Sequence, residues 1–156
     1  MMEVSKDSLC KVLKDKGYDA EFQQETNQVY IIFKEDEREY PLFFRAFEGG
    51  ELLQLIAFFP VQLEQKVVAD VSRLLHLLNK ELDVPGFGLD EIGGVIFYRS
   101  MLNMENNKID ESLLEKYVTT TRTACKTFGK TIEAVAVSAV TVDDLIKKAQ
   151  DAVKES

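Results

Sequence analysis

The sequence predicts a single α+β domain, an antiparallel sheet with helices packed on it, and three observations lead there. Residues 52–59, Leu-Leu-Gln-Leu-Ile-Ala-Phe-Phe, form a short apolar run bounded by glycines and a proline, as a deeply buried strand requires. Residues 63–82 carry leucines and valines in steps of three and four, the mark of a helix with one buried face. Turn signals such as Glu48-Gly49-Gly50 join neighbouring apolar runs over distances too short for a parallel crossover, so the strands pair as hairpins. The expected order is α-β-β-β-α-β-β-α followed by a C-terminal amphipathic helix.

The run at 52–59 has the widest consequence. As a strand it points Leu53, Leu55, Ala57 and Phe59 to one side and Leu52, Ile56 and Phe58 to the other, so neither side is polar. A half-buried strand alternates apolar with polar residues; this one calls for cover on both faces, from helices or from another chain.

Taken in order, Ser5 or Asp7 caps a first helix whose Leu9, Val12 and Leu13 share a face, and Lys14, Lys16 and Gly17 supply its stop. Residues 18–24 lead into an extended segment, 25–27 form a turn, and 28–33 make a strand in which Val29, Ile31 and Phe33 alternate with Tyr30 and Ile32. After a charged turn at 34–37, residues 38–47 form the next strand, with Leu42, Phe44 and Ala46 on one side and Phe43 and Phe47 on the other. Pro41 removes one ladder donor and marks an edge or a bulge. Pro60 is expected to end the strand at 52–59 and to lead into the longest helix, 63–82. Val68, Leu75 and Leu77 widen the apolar face of that helix beyond one contact surface, which suits a symmetric pairing with a second copy.

Residues 83–94, with one proline and four glycines, are irregular apart from a short strand at 87–89, and 95–101 form a strong strand. Asp110 caps a helix over 111–128, with Gly129 as its stop. Residues 131–140 fit a strand, a connector or more helix. Thr141, three residues before Asp144, opens a final helix over 142–154 with Leu145, Ile146, Ala149 and Val153 in a stripe. Two parts follow: 1–130 as the α+β domain and 131–156 as an extension whose helix packs on the same domain or on a partner chain.

Length and composition narrow the function. A chain of 156 residues supports one core, burying roughly 68 to 70% of its unfolded surface. No apolar run approaches a membrane span, and residues 1–16 lack the basic start, apolar stretch and cleavage site of a secretion signal, so a cytoplasmic location is expected. Cys10 and Cys125 read as separate reduced thiols. A net charge of -8 repels phosphate backbones and anionic headgroups, which argues against nucleic acid or membrane as partner.

The run Arg73-Leu74-Leu75-His76-Leu77-Leu78-Asn79-Lys80, the strand Gly94-Val95-Ile96-Phe97-Tyr98-Arg99-Ser100-Met101 and the helix opening near Asp110 resemble the type III secretion chaperone-like fold. That superfamily holds the class I secretion chaperones and the YbjN-domain proteins. A leucine-asparagine pair at the end of the long helix, here Leu78-Asn79, is part of the likeness, which covers about residues 5–130. It implies a small acidic homodimer that holds an extended segment of a client protein, or, in the YbjN branch, a regulatory or protein-interaction module unrelated to secretion. Tyr30, Ile32, Phe43 and Phe47 are the candidates for gripping a client, and Val68, Leu75 and Leu77 for the dimer interface.

No catalytic, cofactor-binding or metal-ligating set is expected. His76 is the one histidine and stands among leucines without a spaced ligand partner. Gly86-Phe87-Gly88 lacks the third glycine of a dinucleotide fingerprint, Glu91 standing in its place. The pairs Asp36/Glu37 and Asp90/Glu91 lie in turns open to solvent, and Cys125 sits on a helix face with Thr121 and Phe128 and no base nearby. The threonines at 119, 120, 121 and 123 suggest a hydroxyl-rich surface, with Thr121 on the buried side.

Overall fold

The computed structural model describes residues 1–155. Its elements are β1 (Met2–Glu3), α1 (Lys6–Asp15), β2 (Glu21–Gln23), β3 (Gln28–Glu35), β4 (Arg38–Ala46), β5 (Leu52–Gln62), a 3-10 turn (Gln65–Val67), α2 (Val68–Glu81), β6 (Phe87–Asp90), β7 (Val95–Asn103), β8 (Lys108–Ile109), α3 (Glu111–Ala136) and α4 (Val142–Glu155). The α+β class and the order of the main elements agree with the sequence reading. Six strands form one antiparallel sheet in the order β2-β3-β4-β5-β7-β6, so the run at 52–59 lies near its centre, and β1 pairs with β8 in a separate ribbon.

Local chemistry sets the turns and caps. Asp36 and Glu37 both take positive φ, the mirror-image turn whose twist suits a two-residue hairpin, and Asn106 and Asn107 do the same between Glu105 and Lys108. Ser5 caps α1 through a reciprocal pair with Ser8, Asp110 caps α3 by accepting from the Ser112 amide at 2.8 Å, and Thr141 and Asp144 bond each other's backbone amides at the start of α4. Asn79, at the end of α2, accepts from the amides of Gly86 and Phe87 and donates to the Phe87 carbonyl, which fastens β6 to the helix. The Leu78-Asn79 pair therefore does structural work.

Three boundaries differ from expectation, while Pro41 keeps the local edge that its missing donor calls for. Pro60 does not end β5: the strand continues to Gln62 through a register shift between Phe58 and Gln62, and the proline sits in that irregularity. The Leu63 amide then bonds the Gly94 carbonyl, so α2 begins later than residue 63 and is shorter than predicted. Pro41 lies in β4, an interior strand, at the point where pairing with β5 stops while pairing with β3 continues. Gly129 does not stop α3, which runs 26 residues to Ala136 and is the longest helix among the described residues. A Cβ at 129 would stand 2.2 Å from the Tyr40 hydroxyl, so this glycine is needed for close approach of helix to sheet.

One face of the sheet carries the core. Val29, Ile31, Phe33, Tyr40, Leu42, Phe44, Leu53, Leu55, Ala57, Phe59, Ile96 and Tyr98 are buried there beneath the helices, with α3 crossing β3, β5 and β7. Rings of Phe33, Tyr40, Phe59, Phe87 and Tyr98 follow one another at centroid separations of 5.1 to 5.9 Å. Two ion pairs tie α3 to the ends of the β3–β4 hairpin, Arg122 to Glu35 and Glu133 to Arg38. The chain at 131–136 is helical, so a division at residue 130 would cut through α3. The α4 helix packs on α2, where Arg73 meets Asp143 at 2.7 Å and Asp70 accepts from the Val142 amide.

Replacing Gly129 with alanine is predicted to cost about 1 to 3 kcal/mol in urea denaturation, because the added methyl overpacks a rigid contact. Adding Tyr40→Phe to Gly129→Ala should recover part of that loss by removing the oxygen it strikes. A change below about 0.5 kcal/mol for Gly129→Ala would show that the contact is loose.

Candidate functional site

The opposite face of the sheet has no helix over it. The same alternation that buries Ile31, Leu42 and Leu55 turns Tyr30, Ile32, Phe43, Ile56, Phe58, Phe97 and Met101 outward, and all seven keep measurable exposure. Strand register places them side by side. One row runs Tyr30, Phe43, Ile56, Arg99; the next pairs Arg45 with Gln54 and Gln54 with Met101; Phe58 faces Phe97. Tyr30 stacks on Phe43 at 5.2 Å, Phe43 meets Phe58 edge-on at 5.8 Å, and the Tyr30 hydroxyl donates to Glu21 at 2.9 Å. Side chains of this size in one contiguous set exceed the scattered apolar residues normal on a soluble surface.

Of the residues predicted to grip a partner, Tyr30, Ile32 and Phe43 are on this face, with Ile32 52% exposed. Phe47 follows β4 on the same side, half-buried, under the guanidinium of Arg45 at 4.6 Å. The predicted dimer residues separate. Val68 and Leu75 are buried in the chain's own core at 5% and 3% exposure and offer no surface to a second copy, whereas Leu77 is half-buried. The expectation that both sheet faces need cover is met on one face by the chain itself.

Sequence reading missed the charges. The chain has five arginines. Arg38, Arg73 and Arg122 each contact a carboxylate, but Arg45 and Arg99 have none within 4.0 Å among the described residues. Both lie on the open face, each over a ring two residues away in the chain, Arg45 over Phe47 and Arg99 over Phe97 at 5.8 Å. Period-2 alternation places Arg45 beside Phe43 and Arg99 beside Phe97. The missing signal was sheet order, which sets β4 and β7 on either side of β5.

The face continues around the sheet edge into a groove of about 550 Å³. Phe97, Arg99 and Met101 form one wall, Val84, Pro85 and Gly86 another, and Asn79 and Tyr117 also line it. The groove exists because β6 pairs with β7 only as far as Tyr98, while β7 continues to Asn103. Ser100 also borders it.

Among the described residues no group of three or more His, Cys, Asp or Glu is placed to hold a metal ion. His76 is exposed on α2. Cys10 and Cys125 are free thiols, and burial pushes Cys125 up to about 12. Tyr40 is likewise pushed up to about 12, chiefly by burial. Thr121 is buried and donates to the Tyr117 carbonyl at 2.8 Å, whereas Thr119 and Thr123 are exposed. No helix of the described residues is long and apolar enough to cross a membrane.

Residues 5–134 match the YbjN family, described as "Putative bacterial sensory transduction regulator". The chain belongs to this family. The match ends within α3, leaving α4 outside it. Among solved structures, the crystal structure of YbjN from E. coli, titled "a putative transcription regulator", superposes with a TM-score of 0.58 at 10% identity over 89% of this chain and 93% of that one, which shows a shared fold. No curated protein matches the sequence.

The buried groups give a pH dependence. Both Cys125 and Tyr40 have folded values above their ordinary 9.0 and 10.0, so the folded chain holds protons that the unfolded chain releases. Their contribution is complete below about pH 9 and is lost as pH rises toward 12. Urea midpoints should fall between about pH 9 and pH 12, and Cys125→Ala should flatten the first part of that fall. A flat profile in the parent protein would contradict the burial of both groups.

Proposed function

We propose that this chain is a non-catalytic, protein-binding regulatory module that takes a polypeptide segment of its partner on the open sheet face. The feature that carries this reading is the contiguous apolar surface of Tyr30, Ile32, Phe43, Ile56, Phe58, Phe97 and Met101, which the chain's own helices leave uncovered. Family membership supports a regulatory setting, and free thiols at Cys10 and Cys125 suit a reducing compartment such as the cytoplasm. Binding by burial of apolar side chains needs no cofactor and no covalent step.

A secretion-chaperone role makes the same physical demand, and the seating of α4 on α2 supports it by keeping the extension in the helical layer. The two readings differ in the state of the partner. A client held in extended form stays open to proteases outside a short protected stretch, whereas the folded partner of a regulatory module resists digestion throughout. Limited proteolysis of the reconstituted complex separates them.

The double variant Ile32→Gln/Phe58→Gln should keep the parent's thermal midpoint within a few degrees while weakening partner binding at least tenfold. The partner is identified from the native host by co-purification, and affinity is then measured with purified components by calorimetry. Unchanged affinity in the double variant would remove the open face as the docking surface.

A further inference from the structure

The arrangement of charge on the open face identifies the kind of segment it takes. The surface as a whole is acidic, with 27 Asp and Glu against 19 Lys and Arg. Against that excess, the middle of the open face holds Arg45 and Arg99 and no carboxylate that reaches either of them among the described residues. They stand diagonally across Gln54 and Ile56 on β5. Strand spacings of ~4.8 Å and a two-residue step of ~6.8 Å put their backbones roughly 12 Å apart. Each guanidinium carbon lies over a ring, Arg45 over Phe47 at 4.6 Å and Arg99 over Phe97 at 5.8 Å, and neither head meets a carboxylate within 4.0 Å among the described residues.

We propose that the partner segment is acidic as well as apolar, with two carboxylates about four residues apart in an extended stretch that engage Arg45 and Arg99 while intervening apolar side chains cover Phe43, Ile56 and Phe58. This rests on the docking role assigned above and adds the chemistry of the partner. Guanidinium forks match carboxylates bidentately, and the surrounding rings lower the local dielectric, so the pairing selects partners more than it adds bulk affinity. A second copy of the chain is a poorer occupant, because two-fold pairing of this face sets the same cations against each other. Duplex DNA is poorer too, since two arginines in a chain of charge -8 provide a small phosphate footprint.

The test uses fluorescein-labelled synthetic twelve-residue peptides with apolar residues at alternate positions and, at two positions four apart, Asp, Asn or Lys, alongside a labelled DNA duplex. Anisotropy is measured with the full chain and with Arg45→Gln, Arg99→Gln, the double arginine variant and Ile32→Gln/Phe58→Gln. Both arginines are exposed, so their variants should fold normally, as checked by circular dichroism. The expected result is that Asp peptides bind about tenfold tighter than Asn peptides and tighter still than Lys peptides. Each single arginine variant should lose about tenfold for the Asp set only, and the double variant should show no preference.

Equal binding of all three peptide sets that is still lost in Ile32→Gln/Phe58→Gln would overturn the acidic partner and leave the docking face standing. Binding indifferent to Ile32→Gln/Phe58→Gln would overturn both, as would no binding by any set. Arginine-dependent capture of the duplex would reassign the pair to phosphate, and a dimer strengthened by the arginine variants would show that a second copy covers the face; either result overturns the proposal.

Discussion

The seating of α3 against the middle of the sheet is the contact on which the rest of the molecule depends. Gly129 lets the helix backbone come close to the Tyr40 hydroxyl, and the ion pairs Arg122–Glu35 and Glu133–Arg38 hold the helix to the β3–β4 hairpin. With α3 fixed there, its buried face closes over the side chains of β3, β5 and β7. The remaining helices join on the same side: α1 beside β2 and β3, α2 against β6 and α3, and α4 against α2. All the helical cover of the sheet therefore lies on one face, and the asymmetry of the molecule follows from that placement.

A sheet covered on one side normally has polar residues on the other, because alternation matches each side to its solvent. Here the outward positions of the three central strands carry Phe43, Ile56, Phe58, Phe97 and Met101. Such a face loses nothing when a partner displaces its water, and it invites association when none is present. The two arginines reduce that hazard. A charge directed outward on an otherwise apolar sheet opposes pairing with an identical copy while remaining available to a partner of opposite sign.

Much of the fold was legible in the sequence because the main strands are short apolar runs and three of the four helices open on a side-chain cap. Ser5, Asp110 and Thr141 cap the helices they were expected to cap. What failed were the places where a distant contact outweighs a local rule. Gly129 has the look of a helix stop and is in fact the point of closest approach to a strand far away in the chain. Leu63 fits the helical stripe of α2, but its amide is taken by Gly94. The apolar character of both sides of β5 was readable, whereas the side left bare was not, since that follows from where all four helices pack. Tyr30, Ile32 and Phe43 could be placed by alternation alone; Arg45 and Arg99 become a pair only once β5 is known to lie between their strands.

The central claim is that one sheet face is dry and the other wet in the isolated chain. Its most direct measurement is fluorine NMR of the protein carrying fluorinated phenylalanine, with a soluble paramagnetic agent added at low protein concentration. Strong relaxation of Phe43, Phe58 and Phe97 is expected, with little effect on the buried Phe33, Phe44 and Phe59. Equal protection of the two sets would contradict it.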